Sequence, residues 1–284
     1  MTFNKNIYAE RLKEKGYADS TISGYVRSLE LYEDWSEKRT NHSESQLAFK
    51  YIKYLKKKSS KIATINGAIQ PIRIYYKLFR KNNPFEHYTL NRTTERIKRS
   101  NFSIDALEAI YDNYPQNTLT QVRDKVLLGF YVFQGIKSCE VKHLKVDDIN
   151  LETYQIQLHG CHRINKRRLS LNVRQLILLV EYLNNQRIQL LNGRIDDRLI
   201  ITSKEKNSYP SIIENLTKKL KKSTYGFINF NDVRASVIQH WVKEYDLRKA
   251  QYYAGHRYIS STEKFISEDI SKLKSDVLKY FPLN

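Results

Sequence analysis

The chain has 284 residues, 40% of them hydrophobic, enough for one large domain or two of ordinary size. Its net charge of +19 comes from Lys and Arg spread over the whole length. That points to a polyanionic partner, DNA or RNA, and away from a single basic amphipathic helix on a membrane surface.

The longest apolar run, at 176–180, falls far short of the ~20 residues that cross a bilayer. The opening Met1-Thr2-Phe3-Asn4-Lys5 carries no export pattern. Two cysteines, Cys139 and Cys161, are too few for a disulfide framework or a structural zinc. The expectation is a cytoplasmic protein with two free thiols, no metal and no cofactor.

Helical periodicity then dominates, with only 9 Gly and 5 Pro. A short helix runs through Ile7, Tyr8 and Leu12 and closes near Gly16. Ser20 caps a second, with Tyr25, Leu29, Tyr32 and Trp35 on one face. Ser43 caps a third, with Leu47, Tyr51, Tyr54 and Leu55 inward. A fourth carries Ile62, Ile65, Ile69, Ile72 and Tyr76. The run Lys56-Lys57-Lys58 falls between helices three and four and suits phosphate contact.

These helices make a first domain, 1–82, expected to bind DNA. Asn82-Asn83-Pro84 breaks the pattern, and a polar, basic stretch follows to Ser100, including Arg96, Lys98 and Arg99. It reads as an interdomain linker, 83–101.

The second domain, 102–265, opens on the helix start Ser103-Ile104-Asp105. A buried helix over 123–133 ends at Gly135. Ile156-Gln157-Leu158 and Leu169-Ser170-Leu171 alternate as strands on either side of a basic turn. Helices resume over 174–191, Leu199-Ile200-Ile201 suits a short strand, and the chain is helical again from Asn229. The tail, 266–284, has Ile270, Leu273, Val277, Leu278 and Phe281 on one face. It suits either docking on a neighbouring protomer or folding back on its own domain. The fold class is mainly α with a small antiparallel sheet.

The chemistry-bearing residues lie in two segments. The first is Gln134-Gly135-Ile136-Lys137-Ser138-Cys139-Glu140-Val141. The second holds Asn231-Asp232-Val233-Arg234, then Ala254-Gly255-His256, then Ser260-Ser261-Thr262-Glu263-Lys264-Phe265. Here the chain resembles the tyrosine recombinases, the phage integrases and their relatives, and most of all their divergent mobile-element group from Bacteroidetes. That family carries a Thr-Gly-Leu-Arg box, then His-x-x-Arg, then Gly-His, then a nucleophilic tyrosine.

By that resemblance Arg234 takes the place of the second arginine and His256 that of the Gly-His histidine. Phe265, nine residues on, stands at the tyrosine. The resemblance implies a helical, SAM-like DNA-binding domain and a catalytic domain closing on DNA as a C-shaped clamp. It implies cutting and rejoining through a 3′-phosphotyrosyl bond, which needs neither ATP nor metal because that bond conserves the phosphodiester's energy.

The departures are specific. Lys137 replaces the first arginine, keeping the charge and losing the bidentate fork. Asn231 replaces the first histidine and cannot shuttle a proton. The hairpin lysine that protonates the leaving oxygen in the family has two readings here, because Cys161 follows Gly160. Lys166 is either that acid or a plain phosphate contact. Arg163, Arg167 and Arg168 on the same turn, and Arg257 beside His256, are candidate phosphate contacts.

Phe265 has no hydroxyl. Either a tyrosine has been replaced while ring packing is kept, or a recombinase has decayed to a DNA-binding relic. Arg234, His256 and the flanking Ser-Ser-Thr box, all intact, favour the first. Tyr258 and Tyr280 read as packing residues. The expected partners are double-stranded DNA at inverted half-sites and further copies of the chain, as a dimer or a synaptic tetramer. The rivals are a non-catalytic DNA-binding regulator on the same scaffold and an unrelated basic RNA- or chromatin-associated protein.

Overall fold

A computed structural model describes residues 3–39, 42–59, 61–86, 88, 102–161, 164–202, 209–227 and 229–266. The chain divides into two units, Met1–Glu95 and Arg96–Asn284, each with its own core. Among the described residues no helix is long and apolar enough to cross a membrane.

The first unit holds α1 (Lys5–Glu14), α2 (Asp19–Glu37), α3 (Glu44–Lys58) and α4 (Ile62–Leu78). Asn4 caps α1, and Ser43 with Gln46 forms a full capping box on α3, satisfying backbone donors that the first turn leaves open. The core is aromatic: Phe3, Tyr8, Tyr32, Tyr51, Tyr75, Tyr76 and Phe85 are buried and meet mostly edge to face.

Several sequence expectations are corrected here. Ser20 lies inside the first turn of α2, whose cap position is Ala18. Tyr54 is exposed, lying beside Trp35 and Tyr51 at the surface. Lys56, Lys57 and Lys58 form the exposed last turn of α3 rather than a loop. There the cations also complement the helix dipole.

The chain does not leave this unit at residue 83. The Asn83 side chain accepts from the Phe85 amide (3.0 Å), and Arg73 holds the Phe85 carbonyl (2.9 and 3.2 Å). Phe85 is thereby turned into the core, a burial worth roughly 1.5–3 kcal/mol. Arg96, Lys98 and Arg99 lie outside the described residues.

The second unit is built round α6 (Leu119–Gln134), buried along almost its whole length and capped by a Thr118–Gln121 box. Around it pack α5 (Ile104–Asp112), α8 (Val173–Glu181), α9 (Arg187–Leu191), α10 (Tyr209–Ser223) and α11 (Phe230–Glu244). The short α7 (Ser138–Val141) follows α6, while α12 (Leu247–Ala254) and α13 (Ser260–Glu263) follow α11. A π-helical turn, Tyr182–Gln186, joins α8 to α9.

The sheet is antiparallel in the order β1 (Ile149–Asn150), β2 (Gln155–Leu158), β3 (Arg167–Ser170). Its register pairs Ile156 with Leu169 and Leu158 with Arg167. Residues 199–201 are buried but form no strand. The Leu199 amide donates to the Leu144 carbonyl (2.8 Å), and Tyr182 Oη donates to the Leu199 carbonyl (3.0 Å).

Candidate active site and nucleic-acid interface

Arg234 sits in the second turn of α11, a helix started by the Asn229 side chain accepting from the Asn231 and Asp232 amides. It is buried at 4% exposure. Its Nη1 donates to the Gly135 carbonyl and its Nη2 to the Ala254 carbonyl. These are the ends of α6 and α12, where carbonyls lack helical partners and carry partial negative charge. A buried cation is offset there. Burial first, and then the charge of Arg167, bring its pKa down to about 10, so it stays cationic at neutral pH.

Gly135 makes the approach possible. It is left-handed (φ 52°), and an added Cβ would meet Val237 at 3.1 Å and Trp241 at 3.2 Å.

Lys137 is the residue before α7, half-buried, with its amide held by Glu140 Oε2 (2.9 Å). Burial, followed by repulsion from Arg234, lowers its ammonium pKa. Glu140 turns its carboxylate onto Arg167, Oε1 to Nη1 at 2.5 Å and Oε2 to Nη2 at 3.2 Å. Both side chains are sealed from solvent (1% and 0%). Arg167 Nε also donates to the Tyr253 carbonyl (2.7 Å).

Arg167 is therefore not a phosphate contact. It is a buried brace tying α7, β3 and α12 together. The signal was present in the sequence: Arg167 shares strand parity with inward Leu169, whereas Arg168 and Ser170 point outward.

His256 follows Gly255, the left-handed end of α12 (φ 65°), where a Cβ would sit 2.7 Å from Arg167 Nη1. The His256 Nδ1 is 2.9 Å from Oγ1 of the fully buried Thr262. Its ring stacks on Phe265, with centroids 6.0 Å apart and planes 22° apart. Burial, then the charges of Arg234, Lys137 and Arg167, lower its pKa to about 4, leaving a neutral imidazole. Arg234, Lys137, His256 and Phe265 thus belong to one cluster at the ends of α6, α12 and α13.

The other described candidates of this unit lie on or beside α11, β3 and α12. Asn231 is exposed on the first turn of α11, one turn before Arg234. Lys166 and Arg168 are exposed. They line a groove with Gln157, His159 and Tyr252. The turn that carries Lys166 is docked on the histidine: Asn165 donates its amide to the Gly255 carbonyl (2.8 Å), and Ile164 bridges to His256.

Arg257 is exposed, with its guanidinium 5.7 Å from the Tyr258 ring centroid. Tyr258 is 61% exposed, which overturns its reading as a packing residue. Arg163, Tyr280 and residues 267–284 lie outside the described residues.

The expectation of free thiols is also overturned. Cys139 and Cys161 are joined by a disulfide with Cα atoms 6.3 Å apart. The fold brings residue 161, on the β2–β3 turn, against α7 despite the sequence separation of 22.

This cluster lies on a helical scaffold with a small antiparallel sheet. The phage integrase family profile matches residues 100–271, well over half the chain, and the chain belongs to that family. It is 26% identical to a tyrosine recombinase XerC of Bacillus licheniformis, over 95% of this chain and 92% of that one. It is 22% identical to a tyrosine recombinase XerD of Staphylococcus aureus, over 95% of each.

Among solved structures it is similar to XerH bound to difH substrate (17% identity, TM-score 0.69, 90% of this chain and 79% of that one). It is also similar to a tyrosine-to-phenylalanine form of the Tn1549 transposon integrase with transposon right-end DNA (14%, TM-score 0.66, 99% and 100%).

Proposed function

We propose that this chain is a tyrosine-type site-specific recombinase of a mobile element, in a form that holds DNA without cutting it. The observation that carries the reading is the seating of the Phe265 ring against His256, in the cluster that also holds Arg234 and Lys137. In this reading a scissile phosphate lies over that cluster. Arg234 and Lys137 face its non-bridging oxygens, and His256 donates a hydrogen bond to one of them. Lys166 is the candidate donor to the leaving 5′-oxygen.

Attack would require an oxygen on the ring at 265, and phenylalanine has none. The chain would then bind inverted half-sites on double-stranded DNA, as a dimer or synaptic tetramer. Lys56, Lys57, Lys58, Arg168 and Arg257 supply exposed positive charge for the duplex. The proposed location is the bacterial cytoplasm, on the nucleoid. The Tn1549 form named above, itself with phenylalanine for a tyrosine, is in complex with DNA, which supports a bound but uncut state.

The missing hydroxyl equally fits a non-catalytic regulator on this scaffold. A nicked suicide substrate separates the two. Phe265→Tyr should form a covalent protein–DNA adduct that the parent chain does not. A Phe265→Tyr protein that binds the same ends yet forms no adduct would leave the regulator reading standing.

A further inference from the structure

The backbone of His256 is fixed on two sides. Its amide donates to the Gln251 carbonyl (3.0 Å), and Gln251 Nε2 donates back to the His256 carbonyl (3.1 Å). Ile164 bridges to it from the turn between β2 and β3. What remains to be set is the imidazole ring, and Thr262 and Phe265 both bear on it.

Thr262 is fully buried in α13. Its amide donates to the Ile259 carbonyl (2.7 Å), and its carbonyl accepts from the Phe265 amide (2.9 Å). Its Oγ1 lies 2.9 Å from Nδ1 of His256. One residue thus grips the histidine ring by its side chain and position 265 by its backbone. The ring at 265 in turn stacks on the imidazole.

A hydroxyl carries one hydrogen and a neutral imidazole carries one, so the contact has two arrangements. In the first, Thr262 donates to Nδ1 and the ring hydrogen sits on Nε2. In the second, Nδ1–H donates to Oγ1, and the threonine hydrogen needs another acceptor. Among the described residues Nδ1 is the only hydrogen-bond partner of Oγ1. A sealed hydroxyl hydrogen with no acceptor is costly, so the first arrangement is the stable one. Among the described residues nothing takes up Nε2, which leaves that nitrogen to a ligand. In the first arrangement it meets an anionic oxygen as a donor. In the second it would present a bare lone pair, which an anion repels.

We propose that Thr262 is a positioning residue that keeps the His256 hydrogen on Nε2 and so makes the histidine a donor to an anionic oxygen. That the anion is a DNA phosphate rests on the recombinase reading, whereas the direction of the Thr262–His256 hydrogen bond does not. The neutral ring, favoured by burial and by the surrounding cations, gives that direction its weight, because only one nitrogen then carries hydrogen. When the ring takes up a second proton, the hydroxyl turns to accept from Nδ1, and Nε2 still donates.

The test uses the full chain with nitrogen-15-labelled histidine at neutral pH. Couplings between ring protons and ring nitrogens distinguish the two tautomers, and His256→Gln assigns the signal among the 7 histidines. His256 should appear as the Nε2–H form. Thr262→Val keeps the shape and removes the hydroxyl. It should raise the share of the Nδ1–H form by about tenfold, the factor that one hydrogen bond implies. Thr262→Ser should restore the parent pattern. A duplex of the element end is the probe for the outward nitrogen. It should slow exchange of the Nε2 hydrogen about tenfold in the parent and in Thr262→Ser, and less in Thr262→Val.

A parent spectrum in the Nδ1–H form overturns the proposal, and that result needs no variant to fold. So does a Thr262→Val protein with the parent's tautomer pattern. A parent in the Nε2–H form whose Nε2 hydrogen ignores the duplex upholds Thr262 and removes the phosphate from this cluster, so the two readings fail separately. None of these readouts depends on cleavage, so they can fail while the Phe265→Tyr result stands, or the reverse.

Discussion

At the residue scale, the electrostatics of His256 make a signed prediction. Its folded pKa of about 4 lies below the ordinary 6.5. Between those values the unfolded chain binds the proton that the folded chain refuses, so stability rises with pH across that window. The contribution of His256 is complete above about pH 6.5 and is lost as pH falls toward 4. Urea titrations over this range should show the loss in the parent and a flatter profile in His256→Gln.

A phosphate anion in the cluster favours the imidazolium, so DNA should raise the histidine's midpoint. Ring carbon chemical shifts followed against pH with and without duplex would show it. The Glu140–Arg167 pair predicts differently. Glu140→Gln leaves a sealed guanidinium without its counter-charge, which should cost about 3–5 kcal/mol in urea denaturation. Arg168→Gln, on the exposed side of the same strand, should cost almost nothing in stability and weaken DNA binding instead.

At the scale of elements, the ends of helices matter more than their middles. The carbonyl ends of α6 and α12 both meet Arg234, and each end is turned by a left-handed glycine. Gly255→Ala places a methyl 2.7 Å from Arg167 Nη1 in a backbone region that alanine avoids. It should lower stability by more than ~1 kcal/mol. Because the displaced group is the brace to Glu140, the variant should also alter the chemical shifts of α7.

Such junctions explain what was legible in the sequence. The four helices of the first unit, and α5, α6, α8 and α11 of the second, follow from 3.6-residue periodicity, and the strands flanking the basic turn from alternation, whereas α7 and α10 were not read. Ser43 and Ser103 announce caps by residue type. Arg167 was misread because a charge run is ordinarily solvated, and its neutralising partner is Glu140, remote in sequence. Phe85 was misread because Asn82-Asn83-Pro84 has the composition of a linker, although Asn83 turns the chain back onto the core. The π turn after α8 and the meeting of Cys139 with Cys161 depend on tertiary packing, which no local pattern encodes.

At the scale of the whole molecule, the +19 charge sets how the protein meets its partner. Binding to any duplex should weaken steeply with salt, each phosphate contact contributing about 0.9 to the slope of log K against log salt. Replacing Lys56, Lys57 and Lys58 together with Gln should reduce that slope by as many units as these lysines have phosphate partners. A slope left unchanged would remove the end of α3 from the interface. Stability should hardly change, since all three are exposed.

The burial of Arg234 has an evolutionary consequence. Its guanidinium joins the ends of two helices, so selection for folding alone would preserve it in a lineage that had abandoned strand exchange. Arg234 alone therefore does not report whether strand exchange is retained. Lys137 and Asn231 are bound less tightly to the fold and are free to drift once chemistry is lost. Among close relatives of this chain, those two positions are expected to vary more than the arginine.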